Sequence, residues 1–277
     1  MYPGSDISPA QAGQLMDDLS VLIARACAEI RATSPTTAVR RLKSDQSPVT
    51  GADEASEAVI LQGLARLLPK LPVVAEESAS AAAPIELTGS FIIVDPLDGT
   101  REYLAGRDEF TVNLAIVTRG LPIAGIIAAP KRGQLWRGVI GQGAERLRLS
   151  DSGGDRAEAI KTRSWPDDPV ATVSRSHMDA ATDNFVSALG PIARVPCGSA
   201  IKFCHIAEGS ADIYPRLGTT CEWDVAAGHA LVAAAGGLVT SPRGMPLTYG
   251  RTAENFRVPA FVAWADPGKA AAVKIQS

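Results

Sequence analysis

The chain has 277 residues, 46% hydrophobic and 21% charged, with a formal net charge of −3. That is enough for one large domain or two of ordinary size, with the composition of an ordinary globular protein. The negative balance argues against a nucleic-acid polymer as partner, although a local site can still hold a small anion. No apolar run approaches the roughly 18 residues of a membrane-spanning helix. The opening MYPGSDISPAQAG has no charged start followed by an apolar stretch, so no secretory signal is expected. A cytoplasmic location follows, with loose attachment to a membrane left open. The cysteines at 27, 197, 204 and 221 form no CxxC pair. Reduced, packed thiols are therefore expected, not disulfides or zinc ligands.

In chain order, SPAQAGQLMDDLSVLIARACAEIRA from Ser8 has a capping serine, an early proline and apolar residues at helical spacing. A second helix is expected from Asp53 to Leu68, stopped by Pro69 and Pro72. VVAEES reads as a short strand ending in Glu76 and Glu77. FIIVD, TVNLAIVT, LPIAGIIAAP and GQLWRGVIG follow as strands joined by Gly and Pro turns, with TRGLP as a hairpin connection. GVIGQGAERLRL lacks the third glycine of a dinucleotide fingerprint, and a hairpin turn is expected there. The polar stretch SDSGGDRAEAIKTRSWPDDP marks a soft boundary, dividing an α+β half (1–150) from an α/β half (151–277). Beyond it VATVSRS, ADIYPR, GLVTS and AFVAWA read as strands, and DAATDNFVSALG, AIKFCHIAEG and WDVAAGHALVAAAGG as helices.

The chemistry concentrates in acids. Glu76 and Glu77 close one strand, Asp95 and Asp98 close another, Asp53 opens a helix and Asp224 opens a later one. Such a cluster repels itself unless hard divalent cations, which prefer carboxylate oxygen, lie among the acids. Pro96 stiffens the turn and can leave the Leu97 carbonyl facing the same ion. Gly99 permits a tight turn before TREYL, a short helix whose backbone N–H groups suit a phosphate. Taken alone, DPLDG is equally compatible with a plain turn at a strand exit.

Three blocks, VVAEES, DPLDGT and WDVAAGHALVAAAGG, resemble the inositol monophosphatase superfamily of lithium-sensitive, magnesium-dependent phosphatases in order and separation. KSDQSPVTGADEASEAVI, DGTREYLAGRDEFTVNLAIV and PCGSAIKFCHIAEGSADIYPR resemble its CysQ-type 3′(2′),5′-bisphosphate nucleotidase branch. The resemblance implies the layered αβαβα fold shared with fructose-1,6-bisphosphatase. It implies two magnesium ions, or three, held by Glu76, Asp95, the Leu97 carbonyl, Asp98 and Asp224, with Asp53 and Glu77 in an outer shell or on a looser third ion. Thr100, with Asp45 or Glu76, would orient the attacking water, and Gly99 and Thr100 would hold the ester phosphate. Leu97, Asp98 and Asp224 would border the substrate as well.

The second half should read the substrate. Ser174 and His177 in SRSH follow a strand, where they either bind ligand or cap the next helix. Gly198, Ser199 and Lys202 form either an anion cradle or a turn with a solvated lysine. Arg216 is a candidate clamp for a second phosphate or a surface residue. Arg101 and Glu102 either pair with each other or guard the pocket. His205 and His229 lie in apolar helices, where packing outweighs ligation. The resemblance thus implies hydrolysis of 3′-phosphoadenosine 5′-phosphate to AMP. Activity on inositol 1-phosphate or fructose 1,6-bisphosphate is the alternative on the same scaffold. A catalytically silent metal or nucleotide sensor is the alternative of another class.

Overall fold

The computed structural model describes residues 6–35, 40–42, 48–79, 87–175 and 179–273. Helix α1 (Pro9–Ala32) starts where Ser8 and Gln11 cap one another reciprocally, with Pro9 in the first turn. Its apolar stripe, including Met16, Leu19, Ile23 and Ile30, is buried. Strands β1 (Arg40–Leu42) and β2 (Pro48–Thr50) pair as an antiparallel ribbon that the sequence pattern did not announce. Helix α2 (Gly51–Leu67) begins two residues earlier than expected, because Thr50 caps it and Asp53 returns the bond. After β3 (Val73–Ala75) comes the correction to VVAEES: Glu76 and Glu77 do not end the strand but open the short helix α3 (Glu76–Ala79). The buried Glu57 carboxylate turns the chain there, accepting the Glu77 N–H at 2.9 Å and the Ser78 hydroxyl at 2.5 Å.

Strand β4 (Ser90–Asp98), helix α4 (Thr100–Leu104) and strands β5 (Thr111–Thr118), β6 (Leu121–Ala129), β7 (Gln134–Val139), β8 (Gly143–Arg148) and β9 (Asp155–Ile160) complete a seven-stranded sheet. Its order is β3-β4-β5-β6-β7-β8-β9, antiparallel throughout except for β3 beside β4. Arg119 and Gly120, at positive φ, make the β5–β6 hairpin, and the β7–β8 connection is the expected turn. Strand β9 lies inside the polar stretch read as a boundary. It is exposed along almost its whole length, so it carries no apolar alternation and is a strand only through pairing with β8.

The rest of the chain contributes β10 (Val170–Ser174), α5 (Ala180–Ala188), β11 (Ala193–Cys197), α6 (Ile201–Ala207), β12 (Ile213–Arg216), β13 (Thr220–Cys221), α7 (Glu222–Ala234), β14 (Leu238–Thr240), β15 (Arg257–Val258), β16 (Phe261–Trp264) and α8 (Pro267–Ala272). A five-stranded sheet runs β11-β10-β12-β16-β14, and β13 pairs with β15. One core packs α1 and α2 on the large sheet, a second holds α6 and α7 between the two sheets, and a third covers the small sheet with α5 and α8. The order is α–β–α–β–α, as expected. Strands β4 to β6 are buried on both faces, which explains their continuous apolar runs. Cys27, Cys197 and Cys204 are buried and Cys221 half-buried, and none of the four is in a disulfide. Among the described residues no helix is long and apolar enough to cross a membrane.

Helix α7 is seated by missing side chains. A Cβ at Gly125 of β6 would strike the Ala227 carbonyl, and one at Gly228 would strike the Phe203 ring. Gly125→Ala is therefore expected to cost about 1–3 kcal/mol, read as a lower midpoint in urea unfolding. Gly51→Ala, where nothing lies within 4 Å, should stay within about 0.5 kcal/mol of the parent.

Candidate active site

The DPLD turn contains a β-bulge. Asp95 pairs with Asn113 and Asp98 with Thr111, so β4 takes three steps where β5 takes two. Residues three apart on a regular strand face opposite sides of a sheet. The extra residue returns Asp98 to the face of Asp95. Pro96 has no N–H to leave unpaired, and its carbonyl accepts the Ser56 hydroxyl at 2.8 Å. The Leu97 N–H donates to Asp95 Oδ1 at 3.0 Å, while the Leu97 side chain enters the core beneath. Gly99, at φ +91°, then reverses the chain into α4. A Cβ there would press on the Glu109 carbonyl and on Ser199, which seats the turn against the second half of the chain.

Three carboxylates converge on that face. β3 runs parallel to β4 with Ala75 opposite Val94, so Glu76 emerges beside Asp95. Asp224 arrives from the first turn of α7, where its Oδ2 accepts the Cys221 N–H at 3.0 Å and the Thr220 hydroxyl. Oxygen atoms of Glu76, Asp95 and Asp224 lie within 4.8 Å of one another. Burial and the charges of Glu76, Asp98 and Asp224 hold the Asp95 carboxyl well above the usual range. Burial and Asp224 push Asp98 up to about 7, against the pull of Lys202 and Arg216. A donor set made only of oxygen, with negative charge crowded in a buried place, fits hard divalent cations. Asp98 and Leu97 line the same cavity. Glu77, next along α3, is not one of the three converging carboxylates.

The Thr100 hydroxyl reaches two acceptors, Asp53 Oδ1 at 3.0 Å and the Leu97 carbonyl at 3.3 Å. The Thr100 hydroxyl is thus held by Asp53, an acid expected only in an outer shell or on a third ion. Asp53 Oδ2 meanwhile takes the Thr50 N–H and hydroxyl at 2.8 and 2.6 Å. Asp45 and His177 lie outside the described residues.

The second half supplies more of the lining. Ser174, Gly198, Ser199, Lys202 and Arg216 all line the cavity. Lys202 is neither a solvated lysine nor a freely offered ligand. It is 2% exposed, with Nζ bonded to the carbonyls of Cys197 and Ser199 at 3.2 and 2.6 Å and placed over the Tyr214 ring. Two of its three donors thus hold the turn on which Ser199 sits at φ +48°. The Asp224 and Asp98 charges, with Tyr214, keep Arg216 protonated despite burial. Arg101 and Glu102 also line the cavity. His205 and His229 do not, and burial pushes His229 down to about 4, with Nδ1 2.9 Å from the Tyr249 hydroxyl.

Sequence reasoning missed Glu109 and Arg175. The Arg175 guanidinium forms two bonds to the Glu109 carboxylate, at 2.8 and 2.7 Å, and a third to the Pro196 carbonyl. Glu109 also accepts the Gly198 N–H at 2.8 Å. Arg175 stands inside SRSH, where attention fell on the serine and the histidine beside it. Nothing in the sequence marked Glu109, whose partners are 66 and 89 residues away.

The crowding has a measurable sign. Asp98 is ordinarily ionised above 3.8 but here titrates near 7. Its protonated form carries no penalty in the fold, so stability is retained below 3.8 and lost as pH rises through about 7. In chelator, the thermal midpoint should fall across that window. Asp98→Asn should raise the midpoint at pH 7.5 and flatten the slope, which thermal scans from pH 5 to pH 8 would measure.

Residues 14–267 match the Inositol monophosphatase family. The Escherichia coli K12 protein named 3′(2′),5′-bisphosphate nucleotidase CysQ is 40% identical over 219 residues, 79% of this chain and 86% of that protein. The protein of the same name from Aggregatibacter actinomycetemcomitans is 30% identical over 261 residues, 92% of this chain and 94% of its own. The crystal structure of CysQ from Bacteroides thetaiotaomicron, a bacterial member of the inositol monophosphatase family, superposes with a TM-score of 0.73 at 30% identity. It covers 89% of this chain and 96% of its own. A match of that breadth, carried by the same fold, means that this chain belongs to the inositol monophosphatase family.

Proposed function

We propose that this chain is a magnesium-dependent phosphatase that hydrolyses 3′-phosphoadenosine 5′-phosphate to AMP and phosphate, clearing that nucleotide in the cytoplasm alongside sulfate assimilation. The observation that carries the reading is the mixed lining of one cavity. Carboxylates of β4, α3 and α7 line it together with the cations of Lys202, Arg216 and Arg175. A substrate with two phosphates suits both kinds of group at once. The relatives named as 3′(2′),5′-bisphosphate nucleotidases add to this, at 40% identity in the Escherichia coli case.

In this reading Glu76, Asp95, Asp98, Asp224 and the Leu97 carbonyl hold two magnesium ions. Bound ions of this kind lower the pKa of a coordinated water and offset charge on a transferring phosphoryl group. The protein supplies placement. Asp53 fixes the Thr100 hydroxyl, which orients the attacking water, and the Gly99–Thr100 backbone receives the ester phosphate. Arg216 meets the other phosphate, while Ser174 and Ser199 border the nucleoside. Lys202 acts mainly by holding the Ser199 turn and by adding positive charge behind it.

A phosphate-release assay on 3′-phosphoadenosine 5′-phosphate, inositol 1-phosphate and fructose 1,6-bisphosphate, with magnesium and with chelator, tests the assignment. Preference for the nucleotide and loss of turnover in chelator are expected. Preference for another substrate would move the protein to a different branch, and binding without turnover would make it a sensor. Asp95→Asn should lose turnover by at least a hundredfold while still folding, because removing an ion ligand costs several kcal/mol (on the order of 3 or more) of transition-state stabilisation. Arg216→Ala should raise KM for the nucleotide about ten- to a hundredfold and change hydrolysis of inositol 1-phosphate less. Equal losses on the two substrates would place Arg216 at the shared phosphate.

A further inference from the structure

Among the described residues, Asn113 leaves both its amide nitrogen and its amide oxygen buried without a hydrogen-bonding partner in the protein, and the Thr172 hydroxyl is the other such group. Asn113 is 1% exposed. Such groups are rare in folded proteins, and an apolar residue of similar shape would avoid the penalty of desolvating them. Asparagine is also a poor strand residue, yet it interrupts the otherwise apolar VNLAIV of β5.

Its surroundings say what the amide is for. Across one ladder Asn113 faces Asp95, and across the other Ile127. Along the same face of β5 its neighbours are Thr111, whose hydroxyl reaches Ser199 Oγ at 3.4 Å, and Ala115, which is packed in the core with α7. The strand partner on the acid side is thus Asp95, and directly opposed residues hold their Cβ atoms about 4.5–5.5 Å apart. Asp95 is also the last regular partner before the bulge, and its Oδ1 already takes the Leu97 N–H.

We propose that Asn113 is a positioning residue for the cation site. When Asp95 is charged and holds an ion, the Asn113 amide donates to that carboxylate and sets its orientation. This rests on the reading that the acid cluster binds divalent cations. Groups that orient a ligating side chain are worth about ten- to a hundredfold in metal affinity.

Asn113→Val and Asn113→Thr make the test, because the two replacements share a shape that suits a strand and differ only in the hydroxyl. Magnesium chloride is titrated calorimetrically into the full chain after chelator treatment, and KM for the nucleotide is measured at saturating magnesium. The valine variant should bind magnesium about ten- to a hundredfold more weakly, with KM within twofold of the parent. The threonine variant should recover most of the loss. If the valine variant fails to fold, Asn113→Leu, which fills the amide's volume, replaces it. Valine and threonine variants that bind magnesium alike, or a valine variant within twofold of the parent, would overturn the proposal. A parent protein that does not bind magnesium would instead overturn the cation reading itself, and this inference with it.

Discussion

One extra residue in β4 is the constraint on which the site depends. Without it, Asp95 and Asp98 would point to opposite faces of the large sheet, one into the α1–α2 core and one toward α7. The bulge turns both toward α7 and spends its surplus residue, Leu97, as a hydrophobic anchor in the core beneath. Burial first, and then the repulsion of like charges brought together, raises the pKa of both Asp95 and Asp98. The fold retains this arrangement because the surrounding layers over-determine it: β4 lies between β3 and β5, buried on both faces.

Helix caps bring in other acids. Asp53 and Asp224 each occupy the third position of a helix, and each accepts the backbone N–H of its capping residue. A carboxylate there interacts favourably with the positive end of the helix, which offsets part of the cost of its burial. Each also has a second task. Asp53 holds the Thr100 hydroxyl, and Asp224 joins Glu76 and Asp95. Capping and chemistry are thus fulfilled by the same atoms. Loss of either acid would loosen a helix start as well as the site.

The cationic lining is built by a different device. The turn before α6 carries a non-glycine residue in the left-handed region, and such a turn persists only where its neighbours hold it. Lys202 binds its carbonyls from below, and Glu109 binds its Gly198 N–H from the first half of the chain. Gly198 has no room for a Cβ, because Glu102 and Glu109 pack against it. The Glu109–Arg175 pair therefore ties the two halves together at the rim of the cavity. Substrate-side geometry depends on contacts between segments far apart in sequence.

That difference separates what could be read early from what could not. The sequence by itself determined the acids, the helix starts at Ser8 and near Asp53, the short helix after Gly99, and the doubly buried strands, because each is written in local spacing or in one motif. The resemblance carried by VVAEES, DPLDGT and WDVAAGH extended this to the fold and the family. Strands β1, β9 and β11 stayed hidden, since their residues lack apolar alternation and become strands only by pairing. Only the tertiary structure decided that Glu76 opens a helix, that Asp53 holds Thr100, and that Lys202 is buried under its own turn. It alone showed Glu109 and Arg175 as a pair and Asn113 as an amide with no protein partner. The reason is physical: hydrogen bonds and charge pairs form across space, and separations of 47 to 89 residues leave no periodic trace in the chain.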